Sequence, residues 1–186
     1  MADELEVKAV VPDPAALRRS LERNGASLAF AGSMADARYD RGDELVPRDE
    51  VLRVRTMHAA DGTVEWQLAW KGPTRRSPEG YKVRDERESR VVGETSPAEI
   101  LEALGYAVVH RIEREVEIYQ VGGATVRIET YPRMDVLLEI EGAPESIERA
   151  IAVTGLPRAG FSGEPLAAFV ARFEARGEPA MLARPR

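Results

Sequence analysis

The sequence predicts an α+β fold built around an antiparallel sheet, and three observations lead there. Strand-like runs of alternating polarity follow one another along the chain. A few capped helical segments separate them. Several of the strands carry charged residues in direct i, i+2 register on their polar faces, which points to a sheet closed on a polar interior.

Residues 3–11 alternate, with Glu4, Glu6 and Lys8 on one face and Leu5, Val7 and Ala9 on the other. That is a strand with one polar and one apolar side. Asp13 and Pro14 supply an N-cap and first helical residue, Leu17 and Leu21 lie on one helix face, and Gly25 follows. Residues 51–56 and 64–71 alternate again; Arg53 and Arg55 share a face, as do Trp66 and Trp70. The tryptophans are read as core packing under a helix. Residues 72–80 are rich in turn formers and form a loop. Its Arg75 and Arg76 are either solvated or part of a lid.

Residues 81–91 form a strand with Lys82, Arg84, Glu86 and Glu88 on one face. Ser96 and Pro97 open a short helix that stops at Gly105. Residues 107–120 and 124–131 read as a hairpin around Gly122–Gly123. Residues 135–141 form a further strand carrying Glu139 and Glu141. Helices follow near 144–154 and 164–176, and the tail from Glu178 is expected to fray. The chain has 186 residues without a composition break, so residues 1–186 are read as a single domain.

Composition narrows the function. The chain contains no cysteine and only two histidines, His58 and His110. Disulfides, thiolate zinc sites and cysteine nucleophiles are therefore absent, and any metal must be held by oxygen, which suits Mg2+ or Mn2+. A net charge of -6 argues against a nucleic-acid partner. The acidic start and the lack of a long apolar run point to a cytoplasmic protein with no membrane association. The sequence leaves the oligomeric state open, a homodimer included.

The charged strand faces carry the chemistry. Arg53/Arg55 and Glu139/Glu141 place like charges roughly 7 Å apart on one face, an arrangement that repels unless something of opposite charge lies between. Carboxylate pairs suit a divalent cation, and arginine pairs suit a phosphate. With those faces turned inward, the sheet becomes a tunnel for a small-molecule triphosphate.

Five segments taken in order resemble the CYTH superfamily, the triphosphate tunnel metalloenzymes that include class IV adenylyl cyclases and thiamine triphosphatases. Glu4-Leu5-Glu6-Val7-Lys8 is similar to the family's E-x-E-x-K, Arg53-Val54-Arg55 to its R-x-R, and Leu68 to Pro73 to its lysine-bearing strand and turn. Arg84 to Glu88 resembles R-x-E-x-E, and Glu139-Ile140-Glu141 the closing E-x-E. The resemblance covers residues 3–175. It implies an eight-stranded antiparallel barrel with flanking helices. It further implies metal ligands at Glu4, Glu6, Glu139 and Glu141, and phosphate contacts from Lys8, Arg53, Arg55, Lys71 and Arg84. Glu86 and Glu88 would support these bases or the metal.

Two segments depart from the pattern. Where the family has K-x-R, this chain has Arg111 and Arg114, three apart and so on opposite faces of a regular strand. Arg114 is the favoured inward residue, with Arg111 second. The family's acidic residue before the closing motif is Glu129 here, an added metal-ligand candidate, with Arg127 on its face as a further phosphate contact. Met134-Asp135 stands where the family has an L-G pair. The expected activity is metal-dependent cleavage of tripolyphosphate or of a nucleoside or thiamine triphosphate by hydrolysis. Proton handling would fall to Lys8, Glu6 or a water on the metal, with surrounding arginines lowering the pKa of Lys8. Cyclisation of ATP to cyclic AMP, or triphosphate binding without turnover, are the alternatives.

Overall fold

The computed structural model describes residues 3–78 and 80–184, with side chains from Leu5 onward. Nine strands form one sheet: β1 (Asp3–Val10), β2 (Ser27–Asp40), β3 (Val51–Ala59), β4 (Val64–Lys71), β5 (Arg75–Arg76), β6 (Lys82–Val91), β7 (Ala107–Val121), β8 (Ala124–Thr130) and β9 (Leu137–Glu141). Eight of them close into an antiparallel barrel in the order β1-β9-β8-β7-β2-β3-β4-β6, sealed by pairing of β6 with β1. The closing strand divides its partners. Lys82–Asp85 pair with β1, while Glu86–Val91 pair with β4. The two-residue β5 pairs with the start of β6, inside the segment read as a loop.

Alternation does the sorting. Val7, Val126, Ile128, Leu138 and Ile140 point outward and are fully buried. They pack under helices α1 (Pro14–Arg23) and α3 (Pro144–Thr154) through Leu17, Leu21, Ile147 and Ile151. Helix α2 (Pro97–Ala103) covers Tyr39 and Val54 with Leu101, and Ser96 with Glu99 forms a reciprocal capping box at its start. Helix α4 (Leu166–Glu174) lies at one mouth of the barrel. There Phe169 and Leu166 meet the buried Ile112, Tyr131 and Leu137. Burying these apolar faces, at about 25 cal/mol per Å2, is what holds the barrel closed around a polar interior.

Two glycine positions decide local geometry. The β7–β8 turn places both Gly122 (φ 54) and Gly123 (φ 88) at positive φ, as a two-residue hairpin of the I′ kind requires. A Cβ on Gly163 would stand 2.5 Å from the Gly80 oxygen and 2.7 Å from the Lys82 nitrogen. The chain leading into α4 therefore passes directly against β6.

Three expectations change. Strand β2 had no clear sequence signal. Its outward residues Ala31, Ser33, Ala35 and Ala37 are small, so polarity does not alternate although the backbone does. The tail is docked: Met181 bridges Arg133, and the Glu113 N–H donates to the Leu182 oxygen at 2.6 Å. Trp70 packs under no helix; its Nε1 donates to Glu50 at 3.4 Å, and Arg87 lies 5.3 Å from its ring. Among the described residues no helix is long and apolar enough to cross a membrane.

Candidate functional site: a charged tunnel

A cavity of about 600 Å3 fills the barrel, within the usual range for small-molecule sites. Among the described residues, nine cationic and eight acidic side chains line it. The register accounts for this convergence. Lys8 faces Glu139, which faces Arg127, and Glu6 faces Glu141 on one side and Lys82 on the other. Along the opposite wall, Asp36 faces Arg55 and Arg38 faces Arg53.

One wall carries three carboxylates. Oxygens of Glu6, Glu139 and Glu141 lie within 4.8 Å of one another. Three cations share them. Lys8 Nζ is 2.7 Å from Glu6 and also meets Glu139, while Lys82 meets Glu6. Arg127 reaches Glu139 at 2.5 Å and Glu141 at 3.2 Å. Burial works to raise the carboxyl pKa values, but Lys8 and Arg127 hold Glu139 well below its ordinary 4.5, and Lys8 and Lys82 lower Glu6. Three carboxylate oxygen ligands at this spacing are the donor set a hard divalent cation takes. Glu4, the fourth expected ligand, has its side chain outside the described residues.

The other wall centres on Asp36. Arg55 grips it with two hydrogen bonds of 2.8 and 3.1 Å, and Arg114 donates at 2.9 Å. Arg53 lies 3.9 Å away and meets Glu86 at 3.5 Å and Glu88 at 3.3 Å. Lys71 binds Glu86 at 2.8 Å. Arg84 donates to the main-chain oxygen of Gly72 at 2.6 Å and to that of Asp49, and reaches the Asp49 carboxylate at 3.4 Å. Burial opposes ionisation of Asp36, yet Arg55, Arg114 and Arg53 outweigh it and hold the carboxyl well below its usual range.

These contacts revise four expectations. The like-charge pairs are not left bare, because a carboxylate from β2 sits between Arg53 and Arg55 and a guanidinium sits against Glu139 and Glu141. Arg111 does not line the tunnel: it stands on the outer face beside α2, and Arg114 alone of the two points inward. Glu129 lies outside the carboxylate group, with its oxygens taken by Arg114 at 2.9 Å and the Tyr131 hydroxyl at 2.5 Å. Lys8 is not a depressed base. Burial alone would lower its pKa, but Glu139 and Glu6 raise it above the ordinary lysine value.

Sequence reasoning missed Asp36 and Arg38, both on the unread strand, and left Lys82 without a role. Asp40 proves structural: backbone N–H groups of Arg41, Glu44, Leu45 and Val46 donate to its carboxylate and pin the loop before β3. His110 is exposed and stands opposite Arg38.

No family model matches the chain, and no curated protein matches it. Solved structures do. A protein from Pyrococcus horikoshii OT3 superposes with a TM-score of 0.71 at 22% identity, covering 91% of this chain and 98% of its own. A Vibrio parahaemolyticus protein, provisionally named an adenylate cyclase, gives 0.72 at 16% identity over 90% of this chain and 97% of its own. A Hippeastrum protein, provisionally an adenylyl cyclase and described as having a dominant triphosphatase activity, gives 0.60 at 15% over 92% and 96%. At these identities the likeness is one of fold.

Proposed function

For a chain with the fold of the CYTH superfamily, we propose the function of a divalent-cation-dependent enzyme that holds a triphosphate in the tunnel and hydrolyses it. One observation carries the reading. A carboxylate group fit for a divalent cation and, among the described residues, nine cationic side chains converge on one cavity inside the barrel. Three of those side chains, through Arg53 Nε, Arg114 Nη1 and Arg127 Nε, keep a buried N–H without a partner among the described residues. Orphaned buried donors are costly, and an anionic oxygen is what satisfies them.

Glu6, Glu139 and Glu141 would hold the ion. When bound there, Mg2+ or Mn2+ supplies Lewis-acid polarisation of phosphoryl oxygens and makes water easier to ionise. The guanidinium groups of Arg53, Arg55, Arg114 and Arg127 fix the phosphate oxygens and stabilise charge developing on the transferred phosphoryl group. Lys8, kept protonated by its two carboxylates, serves as a cation and not as a base. Glu86 and Glu88 orient Lys71 and Arg53. Hydrolysis is favoured over cyclisation because the two tryptophans lie outside the tunnel. Inside it, among the described residues, the one aromatic ring is Tyr131, whose hydroxyl is committed to Glu129.

With the carboxylates ionised and Lys8 charged across the neutral range, the attacking water is the group left to titrate. Tripolyphosphate hydrolysis is therefore expected to rise from neutral pH toward about pH 9, to require Mg2+ or Mn2+, and to be inhibited by Ca2+, whose larger, looser shell misplaces the reacting groups. Rate profiles with each ion and with chelator test this. An optimum near pH 6, or undiminished activity in excess chelator, sinks the reading.

A further inference from the structure

The tunnel cations are not equivalent. Lys8, Lys82, Arg53, Arg55, Lys71, Arg114 and Arg127 each meet a carboxylate, and Arg84 meets two main-chain oxygens and the Asp49 carboxylate at 3.4 Å. Arg38 lines the same cavity and has no hydrogen bond or ion pair among the described residues. It lies opposite Arg53 on β3, and Arg84 and Arg114 also act on it. The anion nearest in the register, Asp36, is already bound on both oxygens by Arg55 and on one also by Arg114.

A half-buried guanidinium facing three others is unfavourable unless an anion joins them. Burial, together with Arg53, Arg84 and Arg114, outweighs the attraction of Asp36 and lowers its pKa below the ordinary arginine value. The contacts also set its position in the tunnel. From the Glu139 carboxylate they run around the barrel through Arg127, Glu129 and Arg114 to Asp36 on β2, the strand opposite β1, and Arg38 follows Asp36 by two residues on the same inward face.

We propose that Arg38, with Arg53, forms an anion subsite for the phosphoryl group held on the β2–β3 side of the tunnel, across from the Glu6–Glu139–Glu141 wall, and that this subsite sets preference for chain length. The inference rests on the triphosphate reading above. It assigns that phosphate to a residue for which Asp36, already bound by Arg55 and Arg114, is the nearby anion but forms no ion pair with it.

Calorimetry with magnesium and the hydrolysis-resistant imidotriphosphate and imidodiphosphate separates the possibilities. Arg38→Gln is expected to weaken imidotriphosphate binding on the order of tenfold, the scale of one lost charge-assisted contact, and to leave imidodiphosphate within about twofold. Arg38→Lys keeps the charge but not the planar fork, and should lose about threefold for the longer anion. The ligand-free Arg38→Gln protein should melt no lower than the parent, since it loses an unpaired cation; a merely structural arginine would give the opposite. If the parent binds both analogues and Arg38→Gln binds them equally well, the subsite is wrong while the triphosphate reading stands. If the parent binds neither analogue, both fall. Should Arg38→Gln fail to fold, Arg38→Lys decides: unchanged affinity for imidotriphosphate overturns the subsite.

Discussion

Replacing Glu6 with Gln is expected to lower magnesium-dependent turnover at least about a hundredfold, since loss even of an outer partner of a metal site commonly costs 10–100-fold. Glu6 is buried and belongs to the carboxylate wall. The amide keeps the shape and removes the charge a cation needs. The same change disturbs the ligand-free protein, because Glu6 accepts from both Lys8 and Lys82. Lys8 retains Glu139, but Lys82 loses its carboxylate. A stability loss of about 1–3 kcal/mol follows from leaving a buried partner unsatisfied. Phosphate-release assays with magnesium titration, alongside thermal melts, check both parts. Full turnover in Glu6→Gln would remove Glu6 from the metal site.

Asp36→Asn is expected to have the largest effect on stability. One carboxylate offsets three guanidinium groups, those of Arg55, Arg114 and Arg53. Removing the charged partner from such a buried cluster costs about 3–5 kcal/mol. At roughly 2–4 °C per kcal/mol for a chain of this size, the melting temperature should fall by on the order of 10 °C. The pH dependence carries the same signature. A carboxyl whose folded pKa is depressed below its ordinary 3.8 adds stability that is present above that value and lost as pH falls through the folded one. The parent should therefore lose stability progressively below about pH 4, and Asp36→Asn should show a shallower acid limb. Melts across that range decide it. Equal melting temperatures near neutrality would mean that Asp36 does not organise the arginines.

Asp36 also shows where the sequence stops being legible. The charged faces of β1, β3 and β9 stand out because each is backed by alternating apolar residues, and that of β6 by its run of charge in i, i+2 register. Strand β2 carries small residues on its outer face, where Ala37, like Ala98 of α2, borders the Tyr39–Val54–Leu101 cluster. With no hydrophobic alternation, nothing in the sequence marked its inward Asp36 and Arg38 as facing the tunnel. The spacing of Arg111 and Arg114 allowed only one inward residue, and the favoured Arg114 is the one that lines the tunnel. The pKa of Lys8 could not be read from its own strand. Its environment is set by Glu139, 131 positions away, a neighbour made only by barrel closure. Expecting like-charge repulsion failed for a similar reason, since interleaving depends on which strands pair.

The central claim is that the tunnel cleaves a triphosphate by hydrolysis with a divalent cation. Incubating the protein with tripolyphosphate, and separately with ATP, in Mg2+ or Mn2+, and resolving orthophosphate, pyrophosphate and cyclic AMP tests it most directly. Tripolyphosphate plus water should give pyrophosphate and orthophosphate in equal amounts, only with the cation present, and ATP should give no cyclic AMP. Cyclic AMP and pyrophosphate from ATP with tripolyphosphate left intact would contradict the hydrolytic account, and absence of every product with both substrates would contradict catalysis itself.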